Sequence, residues 1–270
     1  MNDNKMTVKK LADALAVAII VIMLFAIFGV TGLFSELGAW LDGKEEKTET
    51  AIYSASEITD LDIEAATADI TIIKGNTLTV ETDRFGFSLK EKNGKITIEE
   101  RGGIFSLDRN RNVKITIPEG FEFEKVEIDN GASDIQGDDL KAARLELDIG
   151  AGDVEFNNLV VSEKASIDCG AGEFSLKNGS ISNLKFSLGV GSADLNTTLS
   201  SDCDFECGVG ELRLNLPDGK AAYSFDIETG IGEVKLDSQR VKSEALIGDG
   251  ANKIKIEGGV GSINITFNAN

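Results

Sequence analysis

The sequence is notable first for the residues that it lacks or has in small number. It contains no histidine, two prolines and three cysteines among 270 residues. The absence of histidine removes the commonest general base, the usual zinc ligand and every Ser-His or Cys-His catalytic pair. With so few cysteines, and an odd number of them, we predict no disulfide. A composition with few prolines, 29 glycines and 41% hydrophobic residues is also not that of a disordered linker.

Basic residues are scarce as well. The chain has 46 acidic and 27 basic residues, a formal net charge of -19. Such a charge would repel a phosphate backbone, so no nucleic acid is expected as a partner. Divalent cations and basic proteins remain open as partners.

One uncharged apolar segment lies near the N-terminus. Its 21 residues, 14–34, are long enough to cross a bilayer as a helix and exceed the apolar core of a cleaved signal peptide. Lys5, Lys9 and Lys10 precede it, which orients the N-terminus toward the cytoplasm. We therefore predict a single-pass cell-membrane protein with an uncleaved anchor, organised as cytoplasmic residues 1–13, a transmembrane helix in the lipid bilayer at 14–34, a linker at 35–50 and an extracytoplasmic remainder.

A Gly-x-Gly word recurs through the second half of the chain. Its copies are spaced by about 19–20 residues at first and by more toward the C-terminus, which indicates a structural repeat. A degenerate copy, "EAATADI", begins at Glu64. The first glycines of the words are Gly131, Gly150, Gly170, Gly189, Gly208, Gly230 and Gly259.

Between the words, apolar and polar residues alternate with period two. In Ala143–Ile149, for example, every second residue is apolar, which is typical of a half-buried strand. A repeat holding two short strands and a corner fits one rung of a stacked sheet. The predicted fold is all-β, a single-stranded right-handed parallel β-solenoid with about 19–20 residues per rung. We assign the repeats to residues 129–270 and an irregular β region, with a turn at Asn93-Gly94, to 51–128.

Stacking of successive rungs predicts columns of side chains. The residues one, three and five positions before each first glycine are largely apolar and should face the interior. The Ala, Val or Ile between the two glycines is expected to continue that buried column, while the glycines allow a sharp corner. Cys169 and Cys207 then lie two rungs apart, and all three cysteines, Cys203 included, are expected to be small buried hydrophobes.

Acidic residues flank most of the glycine words and should form two outward columns. One interpretation is a solvated negative face that discourages sheet aggregation. Another is a weak site for a divalent cation such as calcium, although the nine-residue calcium β-roll word is absent. No cofactor is predicted. The cation-site candidates are Asp129, Asp134, Asp148, Asp153, Asp168, Glu173, Glu206, Glu211, Glu228 and Glu233.

Two stretches and the serial words together resemble a known family. These are "LDIEAATADITI" at Leu61–Ile72, "NVKITIPEG" at Asn112–Gly120, and "DIGAGDV", "DCGAGEF", "ECGVGEL" and "ETGIGEV". They resemble the bacterial "putative adhesin" domains of unknown function, described as membrane-anchored β-strand-repeat proteins. The resemblance implies an extracytoplasmic β-solenoid found near envelope-stress or signalling proteins, and supplies no catalytic residues.

Four functional hypotheses follow. The favoured one is a non-enzymatic binding or scaffold protein of the bacterial cell envelope, with an envelope or membrane protein as partner and a role in stress sensing or signalling. A surface adhesin and a cation-stabilised structural module are alternatives. A β-helix enzyme acting on polysaccharide is disfavoured, because the carboxylate columns have no matching cations. The loop from Arg101 to Arg111 is basic and could either balance charge or contact an acidic partner.

Overall fold

The structure, a computed structural model, describes residues 48–83, 86–101 and 111–267. These residues belong to one compact unit, Lys47–Asn270. Within them no helix is both long and apolar enough to cross a bilayer, and the predicted segment 14–34 lies outside them. The first strand begins at Thr48, so the last residues of the predicted linker are part of the sheet.

Almost all of the described chain is extended. A single short 3₁₀ turn, Lys220–Ala222, precedes the seventeenth strand. The strands are β1 Thr48–Tyr53, β2 Asp60–Ala65, β3 Asp69–Gly75, β4 Leu78–Asp83, β5 Phe87–Lys92, β6 Lys95–Glu100, β7 Asn112–Pro118, β8 Phe123–Ala132, β9 Ile135–Gly137, β10 Leu140–Ala151, β11 Val154–Phe156, β12 Leu159–Leu176, β13 Gly179–Ser182, β14 Leu184–Asn196, β15 Thr198–Ser200, β16 Asp202–Leu216, β17 Tyr223–Leu236, β18 Gln239–Val241, β19 Glu244–Ile247 and β20 Asn252–Phe267.

The strands stack in two long ladders on either side of the glycine corner, and a third, short ladder joins the first residues of β10 and β12 to β13 and β15. Before the corner the order is β5-β6-β2-β8-β10-β12-β14-β16-β20-β17-β19, and after it β1-β4-β7-β3-β9-β11-β12-β14-β16-β20-β17-β18. All pairings are parallel except those of β1, β4, β5, β18 and β19 at the ends. The predicted all-β parallel stack is confirmed, while its handedness stays a prediction.

The register confirms the spacing of the central repeats. Asp148 lies beside Asp168, Asp168 beside Ser187, and Ser187 beside Glu206. The degenerate copy is also a rung, because Glu64 lies beside Asp129. Asn93 and Gly94 both have positive φ and form the predicted turn between β5 and β6.

The rungs do not all stack in chain order, contrary to the prediction. The last strand, β20, lies between β16 and β17 and pairs in parallel with both. One favourable charge arrangement accompanies this order. Lys255 lies between Asp204 on β16 and Asp226 on β17, two acids that would otherwise face each other.

The core is the set of apolar columns that the alternation predicts. Phe186 is fully buried, and its ring lies 5.2 Å from that of Phe174 and 5.7 Å from that of Phe205. Each such side chain contributes about 1.5–3 kcal/mol relative to an exposed position. The column nearest the corner is less uniform, since Cys207 and Thr229 are half-buried and Gly258 lies between them.

Glycine is required at the corner because neighbouring rungs approach through their backbones. A Cβ on Gly189 would overlap the carbonyl oxygen of Gly170, and one on Gly191 would overlap that of Gly172. Gly191 also has a φ of 147°, which L-residues with a side chain rarely adopt. The predicted close approach at these glycines is confirmed.

Candidate functional site

The acids that precede the glycines form one continuous row, here called the acidic ladder. It runs across ten neighbouring strands, one residue per strand, at about 4.8 Å per step. Ser187 is its one interruption. In spatial order the ladder is Glu99, Glu64, Asp129, Asp148, Asp168, Ser187, Glu206, Glu257, Glu228 and Glu244. The structure thus brings together five of the predicted cation-site candidates, Asp129, Asp148, Asp168, Glu206 and Glu228, and adds members that the glycine words did not reveal.

Most of the ladder carries uncompensated charge. Glu257 pairs with Lys255 and Glu99 with Lys90. Within the described residues, by contrast, no hydrogen bond or ion pair holds the side chains of Asp148, Asp168 or Glu206, and the same is true of Glu64, Asp129, Glu228 and Glu244. Unpaired carboxylates on strands about 4.8 Å apart repel one another, so the ladder costs folding free energy and sets a negative potential.

The five candidates after the glycines form a separate column with a structural role. Asp134 accepts a hydrogen bond from the backbone N–H of Asp153 at 2.9 Å, and Asp153 accepts one from the N–H of Glu173 at 3.0 Å. These bonds join the rungs just after the corner. Farther along, Glu211 pairs with Arg213 and Glu233 with Lys235. The hydrogen bond from Lys235 lowers the pKa of Glu233.

These residues do not form a cation cage. Across residues 48–83, 86–101 and 111–267 no group of three or more Cys, Asp or Glu side chains is arranged to hold a metal ion. The predicted weak cation site therefore remains a prediction without a defined set of ligands.

The residues that directly follow the first glycines form a second exposed row, here called the apolar ladder. It consists of Ala132, Ala151, Ala171, Val190, Val209, Val260 and Ile231 in register. The prediction that these residues face the interior is wrong. Val190 is 56% exposed, Val209 49%, Val260 48% and Ile231 74%. Because alanines give way to valines and isoleucine, the C-terminal half of the ladder presents the larger apolar surface.

A cleft follows the acidic ladder at this same C-terminal half. It has a volume of about 650 Å³, and its floor is made by the glycine column with Leu188, Cys207 and Thr229. Its acidic side consists of Asp168, Glu206, Glu257, Glu228 and Glu244. Since a glycine has no side chain, the column leaves an open channel one residue before the apolar ladder.

Thr229 and the cysteines add little reactivity to the cleft. The Thr229 hydroxyl is buried without a hydrogen-bond partner in the described chain. All three cysteines are free thiols. Burial raises the pKa of Cys207 to about 11, so at neutral pH it is a protonated, poor nucleophile. Burial, with the nearby Asp168 and Asp148, raises the pKa of Cys169 to about 12.

The C-terminal end of the basic loop is buried. Arg111 is 6% exposed, and its guanidinium donates to Glu100 at 2.8 Å and to the carbonyl of Arg101 at 3.1 Å. Glu100 also accepts bonds from the backbone N–H groups of Ala66 and Thr67. Residues 102–110 lie outside the described residues.

Comparisons with known proteins identify one family and several similar solved structures. A family model described as Toastrack DUF4097 matches residues 58–266. No curated protein matches the chain. Among solved structures, a "putative cell adhesion protein" from Clostridium sporogenes is 20% identical, with 82% of this chain and 99% of that chain covered and a TM-score of 0.33. A "putative adhesin" from Parabacteroides distasonis is 13% identical, covering 81% and 95%, with a TM-score of 0.39. A "putative lipid binding protein" from the same species is 16% identical, covering 82% and 97%, with a TM-score of 0.24.

Proposed function

Since the chain belongs to the Toastrack DUF4097 family, we propose that it is a non-catalytic binding or scaffold protein of the bacterial cell envelope. In this proposal residues 14–34 anchor it in the membrane and the β stack lies outside the cytoplasm. It binds another envelope or membrane protein and serves stress sensing or signalling.

The observation that carries the binding role is the apolar ladder. A protein with a net charge of -19 keeps Val190, Val209, Val260 and Ile231 exposed in one uninterrupted row. Apolar side chains that are contiguous, exposed and bordered by polar residues are typical of interaction surfaces. The stack holds this row rigidly, because each rung is hydrogen-bonded to both neighbours.

The test of the binding role is partner capture with a matched variant. The full-length chain and its Val190→Thr/Val209→Thr/Val260→Thr variant would be recovered after crosslinking in the cells that produce them. Threonine keeps the shape and strand preference of valine but makes the surface polar. We expect a specific envelope protein to be enriched with the wild-type chain and reduced at least fivefold with the variant. Equal recovery by both chains would contradict the role given to the ladder.

The location has its own test. Fractionation should recover the full chain with membranes, and a protease added to intact cells lacking an outer barrier should digest the β stack. Recovery in the soluble fraction, or protection of the stack until the cells are lysed, would contradict the proposed anchor and orientation.

A further inference from the structure

We propose that the cleft beside the acidic ladder binds an extended segment of a protein partner in which Lys or Arg alternates with apolar residues. This inference rests on the proposed binding role and specifies the chemistry of the partner. The length of the cleft, the charge on one side of it and the apolar row beyond its floor point to this ligand.

The length of the cleft suits a short extended segment. The six strands that line its acidic side span roughly 24 Å at about 4.8 Å per step. An extended segment of eight residues covers about the same length, at about 3.3 Å per residue.

The positions of the two ladders indicate which residues alternate in the bound segment. They border the glycine column on opposite sides along the chain, since the acid lies two residues before the first glycine and the apolar residue one after it. Successive side chains of an extended segment point in opposite directions. A segment lying along the glycine column can therefore direct every second side chain toward the carboxylates and the others toward Val190, Val209, Val260 and Ile231.

The negative charge of the cleft favours a basic segment as the ligand. Glu206, Glu228 and Glu244 line the cleft and have no hydrogen-bond or ion-pair partner among the described residues. A ligand that brings cations to them relieves repulsion already present in the free protein, whereas an anionic segment or an anionic lipid surface would add to it.

The experiment measures binding of labelled eight-residue peptides to the purified full-length chain by fluorescence anisotropy. The probe alternates Lys and Val, and a block peptide of four Lys followed by four Val has the same composition. An alternating Glu-Val peptide reverses the charge. We expect the Lys-Val peptide to bind, the block peptide to bind at least fivefold more weakly, and the Glu-Val peptide not to bind. Raising the salt from 50 to 500 mM should weaken the first interaction, because the charges are exposed.

Charge-matched variants locate the site. Glu206→Gln/Glu228→Gln/Glu244→Gln removes three ladder charges, and Glu57→Gln/Glu119→Gln/Glu124→Gln removes three exposed charges elsewhere. The first variant should fold, since it removes mutually repelling groups. We expect this variant to bind the Lys-Val peptide at least tenfold more weakly than the wild-type chain does. The control variant should lose less than twofold in affinity.

Several results would overturn the inference. If the alternating and block peptides bind equally well, charge alone attracts them and the apolar ladder takes no part. If both variants lose the same affinity for the Lys-Val peptide, the effect comes from the net charge of the protein and not from this site. Absence of peptide binding, with calcium raising the melting temperature of the wild-type chain alone, would assign the ladder to a divalent cation. Any of these would leave the proposed binding role intact if partner capture still depended on the apolar ladder.

Discussion

Glu206 lies beside Glu257, although the next glycine word along the chain carries Glu228. The last strand, β20, separates the strands of the two preceding words, so Glu206 and Glu228 are two steps apart. This arrangement completes the acidic ladder and also places Val260 between Val209 and Ile231 in the apolar ladder.

The strand order can be tested with engineered disulfides. In a chain whose Cys169, Cys203 and Cys207 are replaced by alanine, the pair Glu206→Cys/Glu257→Cys should oxidise readily. Neighbouring strands place the two Cα atoms at about 4.8 Å, within the range of a disulfide, whereas two steps give about 9.6 Å. Mass spectrometry of digests would detect the bond. A disulfide between Glu206→Cys and Glu228→Cys instead would mean that the words stack in chain order.

The glycine corner predicts a severe effect of a single methyl group. In Gly189→Ala the new Cβ meets the carbonyl oxygen of Gly170, and the stacked backbone has little room to relax. We expect a loss of about 3 kcal/mol in the free energy of unfolding. Gly86→Ala is the control, because its Cβ would make ordinary contacts at 3.5–3.6 Å. Denaturant unfolding of both variants measures the difference, and equal stabilities would refute the close approach.

Because the apolar ladder is exposed, replacing valine by threonine should affect stability much less in the ladder than in the core. Val209→Thr places a hydroxyl at a half-exposed position and should change the free energy of unfolding by less than about 0.5 kcal/mol. Val234→Thr places it at a position 2% exposed and should cost about 1–3 kcal/mol. Thermal melts of the two variants provide the measurement. A larger loss at Val209 would indicate that the ladder faces the core.

The buried pair of Glu100 and Arg111 predicts a pH dependence of stability. Burial by itself raises the pKa of Glu100, but the hydrogen bonds from Thr67, Ala66 and Arg111 outweigh it and lower the pKa overall. A lowered carboxyl pKa stabilises the fold above the unfolded-state pKa of about 4.3, and this stabilisation is lost as the pH falls through the folded-state value.

Glu100→Gln should therefore cost about 3 kcal/mol at pH 7, because it leaves Arg111 buried without its counter-charge. The difference from wild type should shrink below about pH 4. The neighbouring Glu99→Gln, at a more exposed ion pair with Lys90, should change stability by less than about 1 kcal/mol. Unfolding curves at pH 7 and pH 3.5 compare the three chains, and a difference that does not depend on pH would contradict this explanation.

Much of the fold can be predicted from the spacing of the glycine words. The period-two alternation identifies the buried columns, and the constant interval of 19–20 residues gives the register of Asp148, Asp168 and Ser187. The interval of 22 residues contains the 3₁₀ turn Lys220–Ala222 between β16 and β17, and the interval of 29 contains β18 and β19, which turn back as antiparallel strands before β20 begins. Alternation cannot reveal such an excursion. Lys255 of β20, which lies between Asp204 and Asp226, is one available sign that this strand inserts between β16 and β17.

The apolar ladder was mispredicted because alternation was continued through the corner. Counting forward from the buried Leu188 puts Val190 inside, but the alternation breaks at the first glycine, where Gly189 and Val190 are both exposed. Counting backward from the buried Ala193 puts Val190 outside, as observed. The conflict between the two counts is itself readable from the sequence and marks the corner.

The most direct test of the central claim, that the exposed ladders bind a partner, is site-specific photo-crosslinking in living cells. A photoreactive amino acid would replace Val209 in the apolar ladder and, as a control, Glu119 in an exposed turn. We expect a crosslink to one specific envelope protein from position 209 and none from position 119, with loss of the crosslink in the Glu206→Gln/Glu228→Gln/Glu244→Gln background. The same protein captured equally from both positions, or no protein captured from position 209, would contradict it.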